Sequence, residues 1–447
     1  MTIRFLTAAI LLILLNEGLS AQQNENSPYS RYGIGNLSEN NFIHLQNMGG
    51  INASYADAYH INIHNPATLP YLSSTAFDLG LFGKHTWLND GNSSNRIWSG
   101  NLEYMALAFP LRNPINEIYE GIKKNHKFAM SFALMPYSNV NYNIAAVDSI
   151  STVGNFTRKY VGSGGTYKFM WGNAMKYKNY SFGVNLGYLF GNLSYENRLI
   201  FQPSQFAYDT NFKTSYGMRG WLYNIGFLYT KTINQKAIED NKTLPARRIS
   251  AGIHLNSQTS FSTTYTKFDY LEQALPANIT IIDTIIYQDS IKGKGILPAE
   301  MGFGFTYFSG EKHAIGVNYN TSLWSKYYNE ASGEQKGSLN NAYRISMGGY
   351  YRPDFKSFTS FFKRVYYRYG LYYSKDPRVI NAAEVQTYGL TLGMGMPFVF
   401  QRKVSHANIG LNMGIRGANT PISEKFVKIS FGVTFNDDEW FLKRKYN

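Results

Sequence analysis

The stretch that decides the fold is residues 181–190, which read S-F-G-V-N-L-G-Y-L-F. Bulky apolar residues occupy every second position, and mostly small or polar residues lie between them. Because successive side chains of a β-strand point to opposite faces, this strand has one bulky apolar face and one small face. The same alternation recurs at residues 221–230, 301–307, 408–415 and 429–436. From about residue 75 onward, the sequence therefore has the period of a β protein.

The small face indicates which kind of β protein this is. In a soluble sandwich, the solvent face is rich in Lys, Glu and Thr, and the aliphatic side chains point inward. Here the small face carries Gly, Ser, Asn and Ala, and charged residues collect between the repeated segments. Bulky residues facing lipid and small residues facing a packed lumen explain this inversion, and strands span lipid only as a closed barrel. The predicted fold class is all-β, a transmembrane antiparallel β-barrel.

Fourteen candidate strands follow from this pattern, an even number as in single-chain bacterial barrels. We interpret the polar insertion at residues 258–295 as strand extensions plus a large surface loop. The strands are predicted near residues 75–84, 100–110, 126–136, 156–172, 180–201, 218–233, 247–267, 296–308, 312–327, 340–353, 365–374, 384–398, 406–416 and 426–436. Aromatic residues at their ends are expected to form two interfacial girdles, for example Tyr104, Tyr137, Trp171, Trp324, Tyr327, Tyr350 and Tyr351.

The composition excludes several other classes. The chain has 447 residues, no cysteine and a net charge of +14, with 16 % charged and 16 % aromatic residues. A disordered chain would have few aromatic residues, and a disulfide scaffold or thiolate metal site needs cysteine. A helical membrane protein needs apolar runs of about 18 residues, which the mean hydropathy of −0.30 does not support. The length therefore indicates one barrel with its plug.

The N-terminal region divides into a targeting segment and an irregular segment. Arg4, an apolar stretch at residues 5–15 and a small residue before Gln22 predict a signal peptide at residues 1–21. Residues 22–74 show no alternation and are rich in Gly, Asn, Ser and Tyr, so we expect an N-terminal hatch or plug in the lumen. The predicted barrel covers residues 75–436 of an outer-membrane protein. Residues 437–447 are then a periplasmic tail, because both termini of an even-stranded barrel lie in the periplasm.

Several short motifs give the chain a family resemblance. It resembles the outer-membrane long-chain fatty-acid transporter family, the FadL/TodX-type channels, and most closely their divergent members from Bacteroidetes-like bacteria. The resemblance spans most of the mature chain. It is carried by residues 27–35 (S-P-Y-S-R-Y-G-I-G), Met48-Gly49-Gly50, Asn65-Pro66-Ala67, Leu297-Pro298, Leu323-Trp324-Ser325 and the acidic end at residues 436–441.

The resemblance implies a fourteen-stranded barrel closed by an N-terminal hatch that carries Asn65, Pro66 and Ala67. It also implies that hydrophobic ligands enter from outside, follow an apolar pocket and leave sideways through a gap in the wall. From the residues alone, Asn65-Pro66-Ala67 is equally well an ordinary turn before a strand. In either case Pro66 fixes its own φ and favours an extended Asn65.

We find no motif for catalysis or for a cofactor. His60 and His64 are four residues apart, but a helix is not expected beside Asn65-Pro66, so solvated or lumen-facing histidines are favoured over a metal site. The glycine pairs lack a following helix and are poor phosphate loops, and the sequence has no Gly-x-Ser-x-Gly. We therefore expect a protein that is not an enzyme and has no cofactor or metal.

Basic residues near the predicted strand ends suggest partners at the membrane. An exported barrel does not meet nucleic acid, so we expect contacts with anionic membrane lipids and lipopolysaccharide. The first functional hypothesis is transport of a hydrophobic or amphipathic small molecule by a monomer. The alternative is a partner or shuttle of the type IX protein secretion system, which the insertion at residues 258–295 favours. The basic positions are Lys363, Arg364, Arg368, Lys375, Arg378, Arg402, Lys403, Lys443, Arg444 and Lys445.

Overall fold

The computed structural model describes residues 27–440, apart from residues 40, 92, 113–115, 117–120, 122–124, 151–153, 202–207, 242 and 276–278. The predicted signal peptide at residues 1–21 and the last seven residues of the predicted tail lie outside the described residues. No helix among the described residues has the length and apolar character needed to cross a membrane.

Strands make up most of the described chain, and the helices are short. The strands are β1 (Asn36–Leu37), β2 (Thr75–Asn89), β3 (Ser94–Pro110), β4 (His126–Asn139), β5 (Tyr142–Ile150), β6 (Gly154–Tyr177), β7 (Tyr180–Phe201), β8 (Asp209–Thr232), β9 (Arg247–Asn256), β10 (Thr259–Leu275), β11 (Ile279–Leu297), β12 (Glu300–Ser309), β13 (His313–Ser322), β14 (Tyr328–Asn329), β15 (Ala342–Tyr351), β16 (Tyr366–Ile380), β17 (Ala383–Phe400), β18 (Lys403–Arg416) and β19 (Ser423–Asp437). The α-helices are α1 (Ile43–Gln46), α2 (Gln235–Asp240) and α3 (Phe361–Arg364), and 3-10 helices cover Pro28–Arg31, Pro66–Tyr71 and Trp324–Lys326.

Fourteen of these strands form a closed antiparallel barrel, which confirms the predicted fold class and strand number. Each barrel strand pairs with its neighbours around the ring, and β19 pairs with β2 over residues 423–437 and 75–89 to close it. Closure gives every spanning strand a partner on both sides of the ring, as lipid requires. The fold thereby confirms the predicted outer-membrane location. The barrel strands are β2, β3, β4, β6, β7, β8, β9, β12, β13, β15, β16, β17, β18 and β19.

The insertion at residues 258–295 is mostly a β-hairpin, so the expected large loop is wrong. The strand predicted at residues 247–267 is divided at residues 257–258 into β9 and β10. β10 then pairs with β11 from Thr259 and Leu297 to the tip of the hairpin. The β-branched run at residues 279–286 is suited to a pleated strand, and its pairing with β10 leaves little chain for a loop.

Beyond the barrel, six strands continue into one sheet. β5 pairs with β6, and the distal parts of β6, β7, β8, β10 and β11 pair in that order. β6, β7 and β8 contain 24, 22 and 24 residues, whereas a membrane crossing needs about 9–11. This end lies opposite the start of β2 and the end of β19, so it is the extracellular end. We call the six-stranded extension the extracellular sheet.

The outer face of the wall has the predicted alternation. Phe182 and Val184 of β7 are 50 % and 39 % exposed, while Ser181 and Asn185 on either side of them are buried. Bulky apolar residues therefore form the lipid-facing belt, and small polar residues point into the barrel.

Four of the seven residues assigned to the aromatic girdles do not face the membrane. Trp171 and Tyr351 are exposed on the outer wall, and Tyr137 is half-buried. The other four aromatic side chains are buried and belong to interior clusters, so their assignment to girdles is wrong: Tyr104, Trp324, Tyr327 and Tyr350. Interior hydrogen bonds explain part of this placement, since the Tyr104 hydroxyl accepts a hydrogen bond from the backbone N–H of Ile43 at 3.2 Å.

Candidate functional site

The N-terminal segment, residues 27–74, packs against inward-facing side chains of the barrel. Ile43, Leu45, Met48 and Ile51 are each 0 % exposed. α1 contacts β17, β18 and β19, while the 3-10 helix Pro66–Tyr71 contacts β6, β7 and β8. One segment therefore touches strands that lie far apart around the ring.

Glycines on the inner wall make room for this segment. A Cβ atom at Gly252 would overlap the carbonyl of Ala53, and a Cβ atom at Gly370 would overlap the backbone of Gly49. Each glycine in the set is the cross-strand partner of another, in five groups around the inner wall, and each group leaves space for the N-terminal segment to approach the strands closely. We call it the glycine belt: Gly80, Gly183, Gly226, Gly252, Gly304, Gly316, Gly348, Gly370, Gly393, Gly410 and Gly432.

The Asn65-Pro66-Ala67 motif lies on this belt. Asn65 is fully buried and is the N-cap of the 3-10 helix, where its Oδ1 accepts a hydrogen bond from the Ala67 N–H at 3.1 Å. Its Nδ2 donates to the carbonyl oxygens of Ala53 at 2.5 Å and of Phe227 at 3.1 Å. A Cβ atom at Gly226 would overlap the Asn65 side chain. The amide therefore joins two parts of the N-terminal segment to the barrel strand β8.

Further hydrogen bonds hold the motif against β7. The Ser181 hydroxyl donates to the Ala67 carbonyl at 2.6 Å, and Asn185 Nδ2 donates to the Ile63 carbonyl at 2.7 Å. The motif is thus more than a solvent-exposed turn, because its polar groups bond to the inner wall. Its role in gating is not tested by this geometry and stays a prediction.

A polar cavity of about 320 Å³ lies between the N-terminal segment and the wall. The resemblance implies an apolar pocket, and this cavity differs because inward positions on several strands carry charged side chains. Six cationic and four acidic side chains line it, an excess of two positive charges. The cations are Lys84, Arg344, Lys375, Arg378, Arg416 and Lys428, and the acids are Glu39, Glu103, Glu300 and Asp376.

Two ion pairs line the cavity, and one of them connects the N-terminal segment to the barrel. Arg344 Nη1 donates to Glu39 Oε1 at 3.0 Å, and Lys428 Nζ lies 2.5 Å from Glu103 Oε1. Burial alone would raise the pKa of Glu39, but the nearby charges of Arg344 and Lys428 outweigh it and hold that pKa below its ordinary value. Glu39 is therefore an anion at neutral pH.

Arg378 joins the N-terminal segment to the extracellular end of the barrel. Its Nη1 donates to the Tyr29 carbonyl at 2.6 Å and to Asn36 Oδ1 at 2.9 Å, and its Nε donates to Asp376 at 2.6 Å. Arg378 and Arg368 are 3 % and 2 % exposed. The expectation that these two arginines contact lipid headgroups is wrong, because both are buried inside the molecule.

The wall has a partial discontinuity between β3 and β4. β3 pairs with β2 over residues 94–108, but it pairs with β4 only over residues 105–110, opposite residues 129–134. Further toward the extracellular end, β4 pairs through Ser138 and Asn139 with β1 of the N-terminal segment. The direct ladder between the two barrel strands thus ends part of the way along the wall.

A β-bulge lies where this ladder ends. Glu103 and Tyr104 are consecutive and both are buried, and the pairing of β3 with β2 shifts register beside them. A bulge bends its strand and re-aims its side chains. Pro136, which follows the part of β4 that pairs with β3, has no N–H that would need a partner on the β3 side. We call the place between Glu103 and Pro136 the wall seam, and both residues line the polar cavity.

Three histidines form a buried cluster. The His60 ring lies 4.7 Å from the His44 ring and 4.8 Å from the His406 ring, centroid to centroid. His60 Nδ1 lies 3.2 Å from Asp57 Oδ2. His64 is not part of the cluster and its ring lies 6.0 Å from that of His254. Among the described residues, no three His, Cys, Asp or Glu side chains are arranged to hold a metal ion.

We expect acid to loosen the N-terminal segment at this cluster. Burial lowers the pKa of His44 and of His60, and Asp57 offsets this only in part for His60. A histidine whose pKa is lower in the packed state stabilises packing above its unfolded pKa of about 6.5 and loses that stabilisation as the pH falls. The groups around the cluster are Tyr55, Asp57, Tyr350, Arg352, Tyr366 and Arg368.

Thiol labelling can measure this pH dependence, since the natural chain has no cysteine. The labelling rate of a buried Met48→Cys reporter, divided by that of exposed Ser94→Cys at the same pH, should rise below about pH 6.5. The rise should approach tenfold per pH unit for each proton taken up, about 1.4 kcal/mol. In a background with His44, His60 and His406 all replaced by Gln, the ratio should stay level. An equally steep rise in that background would contradict the assignment.

Comparison with solved structures places this architecture among known barrels. The P. putida toluene transporter TodX has a TM-score of 0.55 at 13 % identity, covering 89 % of this chain and 98 % of that chain. The Ralstonia pickettii toluene transporter TbuX has a TM-score of 0.53 at 13 % identity, covering 88 % and 98 %. A Pseudomonas aeruginosa FadL homologue has a TM-score of 0.54 at 10 % identity, covering 89 % and 98 %. The likeness to FadL/TodX-type barrels predicted from the sequence is therefore confirmed at the level of the fold.

Sequence comparison gives a second result. The family model described as BamG matches the chain over residues 1–447. No curated protein matches the sequence.

Proposed function

Because the chain belongs to the BamG family and folds as an outer-membrane barrel, we propose from its cavity and wall seam that it transports amphipathic or hydrophobic small molecules. One observation carries this proposal. The polar cavity is lined by Glu103 of β3 and Pro136 of β4, the two residues that flank the wall seam. A ligand in the cavity therefore lies beside the place where the wall has the least direct strand pairing.

The cavity favours an amphipathic ligand with an anionic head. Its lining has an excess of two positive charges, and buried cations bind carboxylate or phosphate oxygens through charge-assisted hydrogen bonds. An apolar tail would be unfavourable against such a polar lining, because the charged groups would lose solvation. The same tail would be stabilised in the hydrocarbon of the membrane beyond the seam. A head held inside and a tail released sideways satisfy both preferences.

The N-terminal segment is proposed as the hatch of this pathway. Its contacts with the glycine belt and its ion pair between Glu39 and Arg344 fix it to the inner wall. Movement of the segment around Asn65-Pro66-Ala67 would change the space beside the seam. Opening of the hatch would break its hydrogen bonds to β7 and β8. We therefore expect the open conformation to be a minor state when no ligand is bound.

Uptake into proteoliposomes tests the ligand class. A fluorophore-labelled dodecanoate is compared with the matching dodecanol, using the full chain and a Lys84→Gln, Lys428→Gln variant. These two lysines are cross-strand partners that line the cavity. We expect dodecanoate uptake to fall about tenfold or more in the variant, since two charge-assisted contacts are lost, and dodecanol uptake to change little.

The matched control is Lys425→Gln on the outer face of β19, which should leave uptake of both probes unchanged. Equal uptake of dodecanoate by the full chain, the variant and protein-free vesicles would contradict transport. Equal loss of both probes in the variant would contradict head-group recognition while leaving transport supported.

The secretion-partner alternative rests on a different part of the molecule. The extracellular sheet offers surface to a protein, whereas the cavity and seam suit a small molecule. Transport is therefore the proposed function of the barrel interior, and the extracellular sheet is the surface that a protein partner would contact.

A further inference from the structure

β11 forms one edge of the extracellular sheet. Along one side it pairs with β10 from Ile279 to Leu297. Along the other side, within the described part of the chain, its strand pairing is limited to Gly295 and Ile296, which meet β14. The N–H and C=O groups of an edge strand are a template for pairing with another extended chain.

The exposed part of this edge has a composition that favours pairing with another strand. All side chains at residues 280–290 are exposed, including Ile282 at 55 %, Ile285 at 53 % and Tyr287 at 64 %. The stretch reads T-I-I-D-T-I-I-Y-Q-D-S and contains no Lys, Arg or Pro. Natural proteins commonly protect edges with Lys, Pro or a cover, and these residues lack the first two devices.

The edge is also held in position before any partner arrives. β10 pairs with β11 on one side and with residues 209–220 of β8 on the other. The hairpin is therefore the outer part of a sheet that continues into the barrel wall. A pre-formed edge lowers the ordering cost of binding, which falls mainly on the partner.

Charge argues for a basic partner and against a second copy. Asp283 and Asp289 lie on β11 and Glu272 lies on β10, while Lys267 pairs with Asp269 at 3.3 Å. Residues 267–290 of the hairpin carry four acidic side chains and one Lys, a net charge of −3 on a chain of +14, and Lys292 and Lys294 lie closer to the barrel. Antiparallel pairing of two β11 edges would bring like charges together, which is destabilising across strands.

We propose that the β11 edge, residues 280–290, binds an extended segment of another polypeptide by β-strand addition. The segment alternates apolar residues with Lys or Arg. Main-chain hydrogen bonds to β11 supply affinity, and the carboxylates of Asp283 and Asp289 select the basic side chains. This docking surface is independent of the transport proposed for the barrel interior.

Peptide binding to the purified full chain tests the proposal. The probe is a fluorescent ten-residue peptide of alternating Lys and Val, followed by fluorescence anisotropy. Two matched peptides are compared with it: alternating Glu and Val, and the Lys–Val peptide with every second amide N-methylated. We expect each matched peptide to bind about tenfold or more weakly, because one reverses the charge and the other removes main-chain donors.

Two protein variants locate the site. Ile282→Lys should weaken the Lys–Val peptide about tenfold. Val147→Lys, on β5 at the opposite edge of the same sheet and 77 % exposed, should not weaken it. Hydrogen exchange should slow at residues 281–290 when the peptide binds. Equal binding of the N-methylated peptide, or no effect of Ile282→Lys, would overturn strand addition. A dimer in light scattering that Ile282→Lys disrupts would assign the edge to a second copy instead.

Discussion

Gly370→Val should release the N-terminal segment from the wall while leaving the barrel intact. A Cβ atom at position 370 would overlap the backbone of Met48 and Gly49, and a backbone cannot move aside as the end of a flexible side chain can. Valine itself suits a strand, so β16 should still pair with β15 and β17. The overlap should cost about 3 kcal/mol, at the upper end of overpacking effects.

The measurement uses the Met48→Cys reporter, since Met48 is 0 % exposed in the natural packing. Maleimide labelling of the folded protein should be about 100-fold faster in Gly370→Val, because 3 kcal/mol is about two powers of ten in an equilibrium. Gly83→Val is the matched control on β2, where a Cβ atom meets nothing within 4 Å. Slow labelling in both variants would show that the glycine belt is not what holds the segment.

Replacing Asn65 should have the second large effect, a loss of stability of the packed N-terminal segment. Which of two replacements, Asn65→Ala or Asn65→Asp, destabilises it more shows what the Asn65 side chain contributes. Asn65→Ala removes two donated hydrogen bonds and the N-cap acceptor, for a loss of about 2–4 kcal/mol. Asn65→Asp keeps the N-cap acceptor but places a buried carboxylate against the carbonyl oxygens of Ala53 and Phe227. We therefore expect the aspartate variant to be the less stable of the two.

Hydrogen exchange at residues 62–69 measures this, compared between the variants and the natural chain. Exchange should be fastest in Asn65→Asp and intermediate in Asn65→Ala. Asn89→Asp is the matched control, because the Asn89 side chain accepts a hydrogen bond from the Gly91 N–H and an aspartate does the same. If the alanine variant exchanges faster than the aspartate variant, the N-cap is the main contribution of Asn65 and the links to Ala53 and Phe227 are minor.

The barrel could be predicted because its signal is local and repeated. Alternation at residues 181–190 depends only on which face each side chain of β7 occupies, and the structure has those faces as predicted. The same rule assigned Gly183 and Asn185 to the lumen. It could not show that the inward glycines align across strands, because alignment depends on strand register, which short segments do not reveal.

The parts of the site that were missed depend on irregular backbone or on distant pairing. Glu103 and Tyr104 are both inside because a bulge interrupts the alternation of β3, and a period of two has no place for the extra residue. A signal for the polar cavity was present, since Lys84, Glu103 and Arg344 are charges within otherwise apolar strands. Such charges avoid lipid and point into the lumen, so they predict a polar interior more directly than the family resemblance does.

The contribution of Asn65 illustrates the same limit. The sequence predicted an extended Asn65 before Pro66, and the structure has it extended, at φ −111° and ψ 98°. The partners of its amide are Ala53, twelve residues earlier, and Phe227, on a strand 162 residues later. Neither partner is adjacent in sequence, so the motif alone could not separate an ordinary turn from a junction.

The glycine belt also links the packing of the N-terminal segment to closure of the ring. The N-terminal segment touches glycines on eleven strands, and β2 follows it directly and pairs with the last strand, β19. Ile43 contacts Gly80 of β2 and Gly432 of β19, the two strands whose pairing closes the ring. These contacts are complete only when the eleven strands are in register. Full packing of the segment therefore requires a closed ring, and loosening of the ring at β2 and β19 would also loosen the segment.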